Sequence, residues 1–136
     1  MQPPPYPQKI LIVEDESSML TALKDNLFAA GFEHLSFAQN GEEGLAAAAR
    51  ENPDLILLDI VMPKMDGMTM LDKLCDSGTC PNTKIILLTN LQAGDSIMKG
   101  VIKHEPSYYL VKTDYSIADI IQKIKITLGI ESLPSL

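Results

Sequence analysis

Short apolar runs alternate with amphipathic stretches along the whole chain. "KILIV" (9–13), "HLSFA" (34–38), "DLILLD" (54–59), "KIILLT" (84–89) and "YYLV" (108–111) are apolar and mostly rich in β-branched or aromatic residues, which predicts strands. Between them, apolar residues recur at helical spacing. Met19, Leu20, Leu23, Leu27 and Phe28 share one face, with Gly31 placed as a C-terminal cap. Asn40 followed by Glu43 predicts an N-cap and its capping-box partner, opening an alanine-rich helix that must stop before Pro53. Three further helices follow from Met68, Leu71, Leu74 and Cys75, from Ile97, Met98, Val101 and Ile102 (weakened by Gly100), and from Ile117, Ile120, Ile121, Ile124 and Leu128.

Five strand–helix units in strict alternation predict an α/β fold, a parallel sheet covered by helices on both faces. With 136 residues the chain suits one domain. The proline-rich "MQPPPYPQ" reads as an extended tail over 1–8, the ordered domain as 9–128, and 129–136 as a C-terminal tail.

Charge narrows the function. A net charge of -7 argues against direct nucleic-acid binding, and a phosphorylated ligand would need a cation to mediate. The apolar runs are too short for membrane insertion, and the start lacks the basic and apolar regions of a signal peptide, so a cytoplasmic protein is expected. Cys75 and Cys80 have no nearby His or third Cys for a zinc site and read as reduced thiols; His34 and His104 read as ordinary surface or loop histidines.

In a doubly wound sheet the ligand site lies beyond the carboxyl ends of the strands. The first strand ends in Glu14 and Asp15, the third in Asp59, the fourth in Thr89, and the fifth runs into Lys112. Singly, these residues have ordinary explanations: helix-dipole partners, a backbone-bonded hydroxyl, a solvated lysine. Jointly they put three carboxylates, a hydroxyl and an ammonium on one edge. Crowded carboxylates repel unless a cation intervenes, and an all-oxygen acidic site suits Mg²⁺. A carboxylate can form an aspartyl-phosphate, a transfer that mainly needs charge neutralised on the phosphoryl oxygens.

The ordered set "VED" (13–15), "LLDIVMPKMDG" (57–67), "LLTN" (87–90) and "YYLVK" (108–112) resembles the receiver domains of two-component response regulators over about residues 8 to 128. The resemblance implies a flavodoxin-like (βα)5 three-layer sandwich with sheet order 2-1-3-4-5. By position, Asp59 matches the phospho-acceptor, and Glu14, Asp15, Asp59 and the Val61 backbone carbonyl match the Mg²⁺ site. Thr89 and Lys112 match the pair that binds the phosphoryl oxygens, and Tyr109 matches the aromatic switch that follows Thr89 inward. Such a chain is not an enzyme beyond its own phosphorylation and slow dephosphorylation. Its implied partners are a histidine kinase or phosphotransfer protein and a downstream effector, and its fourth helix, fifth strand and fifth helix form the family's usual relay and homodimer surface.

Two positions depart from the family pattern. Thr113 stands where a cis proline usually follows the lysine; a cis bond to a non-proline residue costs roughly 2.5–4 kcal/mol, so a trans loop is expected. Asn90 stands where a small residue usually follows the threonine. These departures support an alternative, a pseudo-receiver acting as a phosphorylation-independent interaction module. An aspartate-nucleophile phosphatase would need a second Asp at Val61, and an FMN carrier would need a Ser/Thr-rich loop in place of "EDESS". Val61 and Leu91, which by resemblance flank the path of an attacking water, cannot orient it by hydrogen bonding. The phosphorylated chain should therefore dephosphorylate slowly by itself; release of labelled phosphate within seconds, without a phosphatase, would contradict this.

Overall fold

Alternate residues of the central strands serve two different cores, which is how one short apolar run holds helices on both faces. The computed structural model describes residues 3–76, 82–90 and 95–133. The strands are β1 (Tyr6–Val13), β2 (Phe32–Ala38), β3 (Leu55–Leu58), β4 (Lys84–Thr89) and β5 (Tyr108–Val111). The helices are α1 (Ser17–Ala30), α2 (Gly41–Glu51), α3 (Gly67–Asp76), α4 (Asp95–His104) and α5 (Ile117–Thr127). All pairings are parallel, in the order β2-β1-β3-β4-β5 that the resemblance implies.

Ile10, Ile12, Leu55, Leu57, Ile86 and Leu88 pack with Leu23 and Leu27 of α1 and Ile120, Ile121 and Ile124 of α5. Their neighbours Leu11, Val13, Ile56, Leu58, Ile85 and Leu87 pack with Ala47 and Ala48 of α2 and Met70, Leu71 and Leu74 of α3. The predicted caps are present. Gly31 ends α1 in the left-handed region at φ 109°, and the Asn40 side chain accepts the Glu43 amide at 2.9 Å.

The ordered chain extends past both expected boundaries. β1 begins at Tyr6, whose amide donates to the Gly31 carbonyl at 2.9 Å and whose ring packs on Phe32 with centroids 4.8 Å apart. Pro7 is tolerated because β1 meets β3 only from Ile10 onward, so no ladder bond on that side needs its missing N–H. Beyond α5, Ile130 is buried in the first core, and the Lys125 ammonium lies 5.7 Å from the Tyr6 ring centroid.

Two sequence expectations are corrected. Cys75, read as a reduced thiol, is disulfide-bonded; composition suggests a compartment, not which sulfurs approach one another. The chain's other cysteine, Cys80, lies outside the described residues, as does Leu91. His104, read as a surface or loop residue, ends α4 with its side chain 2% exposed. α4 lies close to α3 at Gly100, where an added Cβ would stand 2.5 Å from the flexible end of the Met68 side chain.

Ile130→Ala should lower the unfolding free energy by about 2–5 kcal/mol in urea titrations, the range for truncating a buried isoleucine. A residue in a loose tail would change it by less than about 0.5 kcal/mol.

Candidate functional site

The carboxyl ends of β1, β3, β4 and β5 converge as predicted. Among the described residues, six polar or charged residues are buried as a whole, and four of them are Glu14, Asp59, Thr89 and Lys112. Each ends a strand or directly follows one, so the register of the sheet fixes where its side chain emerges. The Glu14 amide donates to Ala38 of β2 at 2.9 Å, and the Asp59 amide to Val13 of β1 at 3.0 Å, which continue the ladder to the edge.

Lys112 binds this edge together. Its Nζ lies 2.5 Å from Glu14 Oε1, 3.1 Å from Asp59 Oδ2 and 3.4 Å from Glu16 Oε1. The peptide that follows it is trans and enters a short 3₁₀ turn, Lys112–Asp114, so Thr113 stands there without the strain of a cis bond. Burial works against the Lys112 ammonium, but its bond to Glu14 and the charge of Asp59 outweigh burial and raise its pKa above the ordinary lysine value. Burial pushes the Glu14 carboxyl up to about 7, opposed by the Lys112 bond and the Glu16 amide and reinforced by the charge of Asp59.

The Val61 amide donates to Asp59 Oδ1 at 3.3 Å, while the Val61 side chain is 58% exposed over the loop. That loop closes on itself. The Gly67 amide donates to the Ile60 carbonyl at 2.8 Å, and Asp66 caps α3 by accepting the Thr69 amide at 2.8 Å. A Cβ at Gly67 would lie 2.3 Å from the Asp59 carbonyl oxygen, so only glycine permits this return.

One carboxylate oxygen from each of Glu14, Asp15 and Asp59 lies within 4.8 Å of the others. Asp15 is exposed while the other two are buried, so the cluster opens to water on one side. An all-oxygen donor set with a solvated face fits a hard divalent cation. Asp15, Glu16, Asp59, Val61, Thr89 and Asn90 line a cleft of about 320 Å³ above it. Tyr109 is half-buried on β5, and its hydroxyl pKa is raised by burial and then by the charge of Asp59, which puts it within electrostatic reach of the site. The sequence reading gave Glu16 no role; the signal was the third acid of "EDE", which here both lines the cleft and contacts Lys112.

The response regulator receiver domain model matches residues 10–125. The chain belongs to the receiver-domain family. It is 42% identical over 93 residues to response regulator PleD of Caulobacter vibrioides, covering 68% of this chain and 20% of that protein. Against the alkaline phosphatase synthesis transcriptional regulatory protein PhoP of Bacillus subtilis, identity is 45% over 67 residues, covering 49% and 28%. The chain thus spans between a fifth and a third of the curated relatives it matches. A CheY-like receiver domain from Methanospirillum hungatei superposes with TM-score 0.79 at 28% identity, covering 90% of this chain and 94% of that one. A chain of the CheX-CheY-BeF3-Mg complex from Borrelia burgdorferi superposes with TM-score 0.75 at 27% identity, covering 88% and 87%.

The raised Glu14 pKa has a definite sign. The folded receiver holds this proton up to about pH 7, whereas the unfolded chain releases it near the usual 4.5. The unfolded state thus binds fewer protons between these values, and stability falls as pH rises through that window. In a chelator-containing buffer the urea midpoint should decline from pH 4.5 to 7, and Glu14→Gln should flatten the decline.

Proposed function

We propose that this receiver accepts a phosphoryl group on Asp59 from a histidine kinase or phosphotransfer protein and signals to a downstream protein by a change in its surface. One observation carries the reading: the Asp59 carboxylate sits in a cleft with Thr89, bonded to the Lys112 ammonium and grouped with Glu14 and Asp15.

An Asp59 oxygen forms a bond to phosphorus as the donor's P–N bond breaks, and the electron pair leaves on the donor imidazole, which takes up a proton. Lys112 neutralises charge on the nucleophile before transfer and on the phosphoryl oxygens afterwards. The Thr89 hydroxyl is suited to donate to a phosphoryl oxygen, and the Val61 amide holds the Asp59 carboxylate by its other oxygen. Glu14, Asp15, Asp59 and the Val61 carbonyl would hold Mg²⁺, which when bound supplies further neutralising charge. The association of a structurally similar chain with BeF3 and Mg in the Borrelia burgdorferi complex supports this assignment.

Thr89 drawn toward the phosphoryl group vacates space that Tyr109 turns to fill, and this biases the face formed by α4, β5 and α5. That face is the proposed contact for the effector or for a second copy. The net charge of -7 speaks against direct nucleic-acid contact. No described helix is long and apolar enough to cross a membrane, which accords with a cytoplasmic setting for the relay.

Incubation with acetyl phosphate and Mg²⁺, followed by intact-mass spectrometry, should give one phosphoryl adduct. The adduct should be absent without Mg²⁺ and absent from Asp59→Asn. No adduct, together with undetectable Mg²⁺ binding, would instead identify a pseudo-receiver.

A further inference from the structure

Glu16 opens α1 but does not cap it. It stands at the N-cap with extended backbone, and its side chain accepts no bond from the helix amides. It turns instead to the far end of the chain, where Lys112 Nζ donates to Glu16 Oε1 at 3.4 Å across 96 residues. The Glu14 carboxylate accepts the Glu16 amide at 3.2 Å, which pins the residue to the acidic edge. Around the cleft its neighbours are Asp15, Asp59, Val61, Thr89 and Asn90. The helix dipole alone would explain an acid at this position. It would not explain a side chain that bypasses the first turn to reach a lysine on another element.

An ammonium carries three N–H donors, and three carboxylates stand within 3.4 Å of Lys112 Nζ. They are not equally held. The Glu14 and Asp59 side chains are 3% and 7% exposed, whereas that of Glu16 is 49% exposed and makes the longest of the three contacts. Breaking the contact to a buried carboxylate strands a desolvated charge, while breaking the one to Glu16 returns a carboxylate to water. A phosphoryl group on Asp59 also needs a donor from Lys112. Glu16 is the partner that yields one at least cost.

We propose that Glu16 is a positioning residue for phosphoryl acceptance: in the unphosphorylated chain it holds the Lys112 donor that a phosphoryl oxygen takes over. This rests on the reading of Asp59 as the acceptor. With acetyl phosphate, an Asp59 oxygen bonds to phosphorus as the bond from phosphorus to the acetyl oxygen breaks. Acetate leaves with the electron pair. No proton passes between Lys112 and Glu16; the ammonium exchanges one acceptor for another, and the Glu16 carboxylate is rehydrated. Because the incoming group must displace this contact, Glu16 holds acceptance below the rate the same cleft would support without it.

Two variants separate the contact from the charge. Glu16→Asp keeps the charge but is one methylene shorter, and aspartate is favoured at an N-cap, so the contact with Lys112 is lost. Glu16→Gln keeps the length and removes the charge. Initial rates of adduct formation with acetyl phosphate at saturating Mg²⁺ are followed by intact mass. The rate should rise about two- to fivefold in Glu16→Asp, the range for a half-exposed ion pair. In a Lys112→Met background the same substitution should change nothing, since Glu16 acts only through the ammonium. If that background does not fold or takes no adduct, affinity for fluoroberyllate with Mg²⁺, read by fluorine NMR, replaces it. That affinity should tighten in Glu16→Asp by the same factor as the rate. Equal rates in the unmodified and Glu16→Asp chains overturn the proposal and leave Asp59 as the acceptor. So does a rise confined to Glu16→Gln, which would reduce the effect to charge at the cleft mouth. An effect that persists without Lys112 overturns it as well. No adduct on any chain would overturn the reading of Asp59 itself, and this inference with it.

Discussion

The Lys112 ammonium stands between Glu14 and Asp59, and without it two buried carboxylates would share the carboxyl edge with no counter-charge. Buried charges are costly to desolvate, and removing one partner of a buried pair is worse than never having the pair. This single group therefore ties the short edge strand β5 to β1 and β3, which it does not touch through backbone pairing. Glu14 and Asp59 are in turn fixed by ladder bonds to their neighbouring strands, so the ammonium meets a rigid target.

That arrangement gives the edge two competing demands. A lysine bonded to the acids supplies counter-charge on the buried side, while the exposed Asp15 leaves the cluster open to water. The ring of loop from Ile60 to Gly67 limits how far Asp59 can shift, because the Gly67 amide returns to the backbone just beyond it. The Thr89 hydroxyl and the Tyr109 ring stand on β4 and β5, the last two strands in the sheet order.

The grouping of these residues at one edge was legible in the sequence because strand ends are. Each charged residue terminates an apolar run, and a parallel sheet aligns all such ends, so order along the chain became proximity in space. Residues that act across two elements were not legible. Tyr6 and Ile130 lie outside any run with a clear period, and only packing on Phe32 and the α1–α5 core draws them in. His104 and Asp72 sit on different helices, and their meeting depends on how those helices pack. Periodicity reports which face of a helix is apolar, not how near the next helix comes. Glu16 was one acid among several until Lys112 was seen to reach it.

The contact between Lys125 near the end of α5 and the Tyr6 ring at the start of β1 has a practical consequence. The first strand starts, and the last helix stops, on the side of the sheet opposite the carboxylates. The two ends of the folded unit are neighbours there, so a short peptide could join them. New ends opened in an exposed connection would then give a circularly permuted receiver with the same acidic edge. The order in which the strands leave a ribosome could in this way be varied while the charges they deliver stay in place.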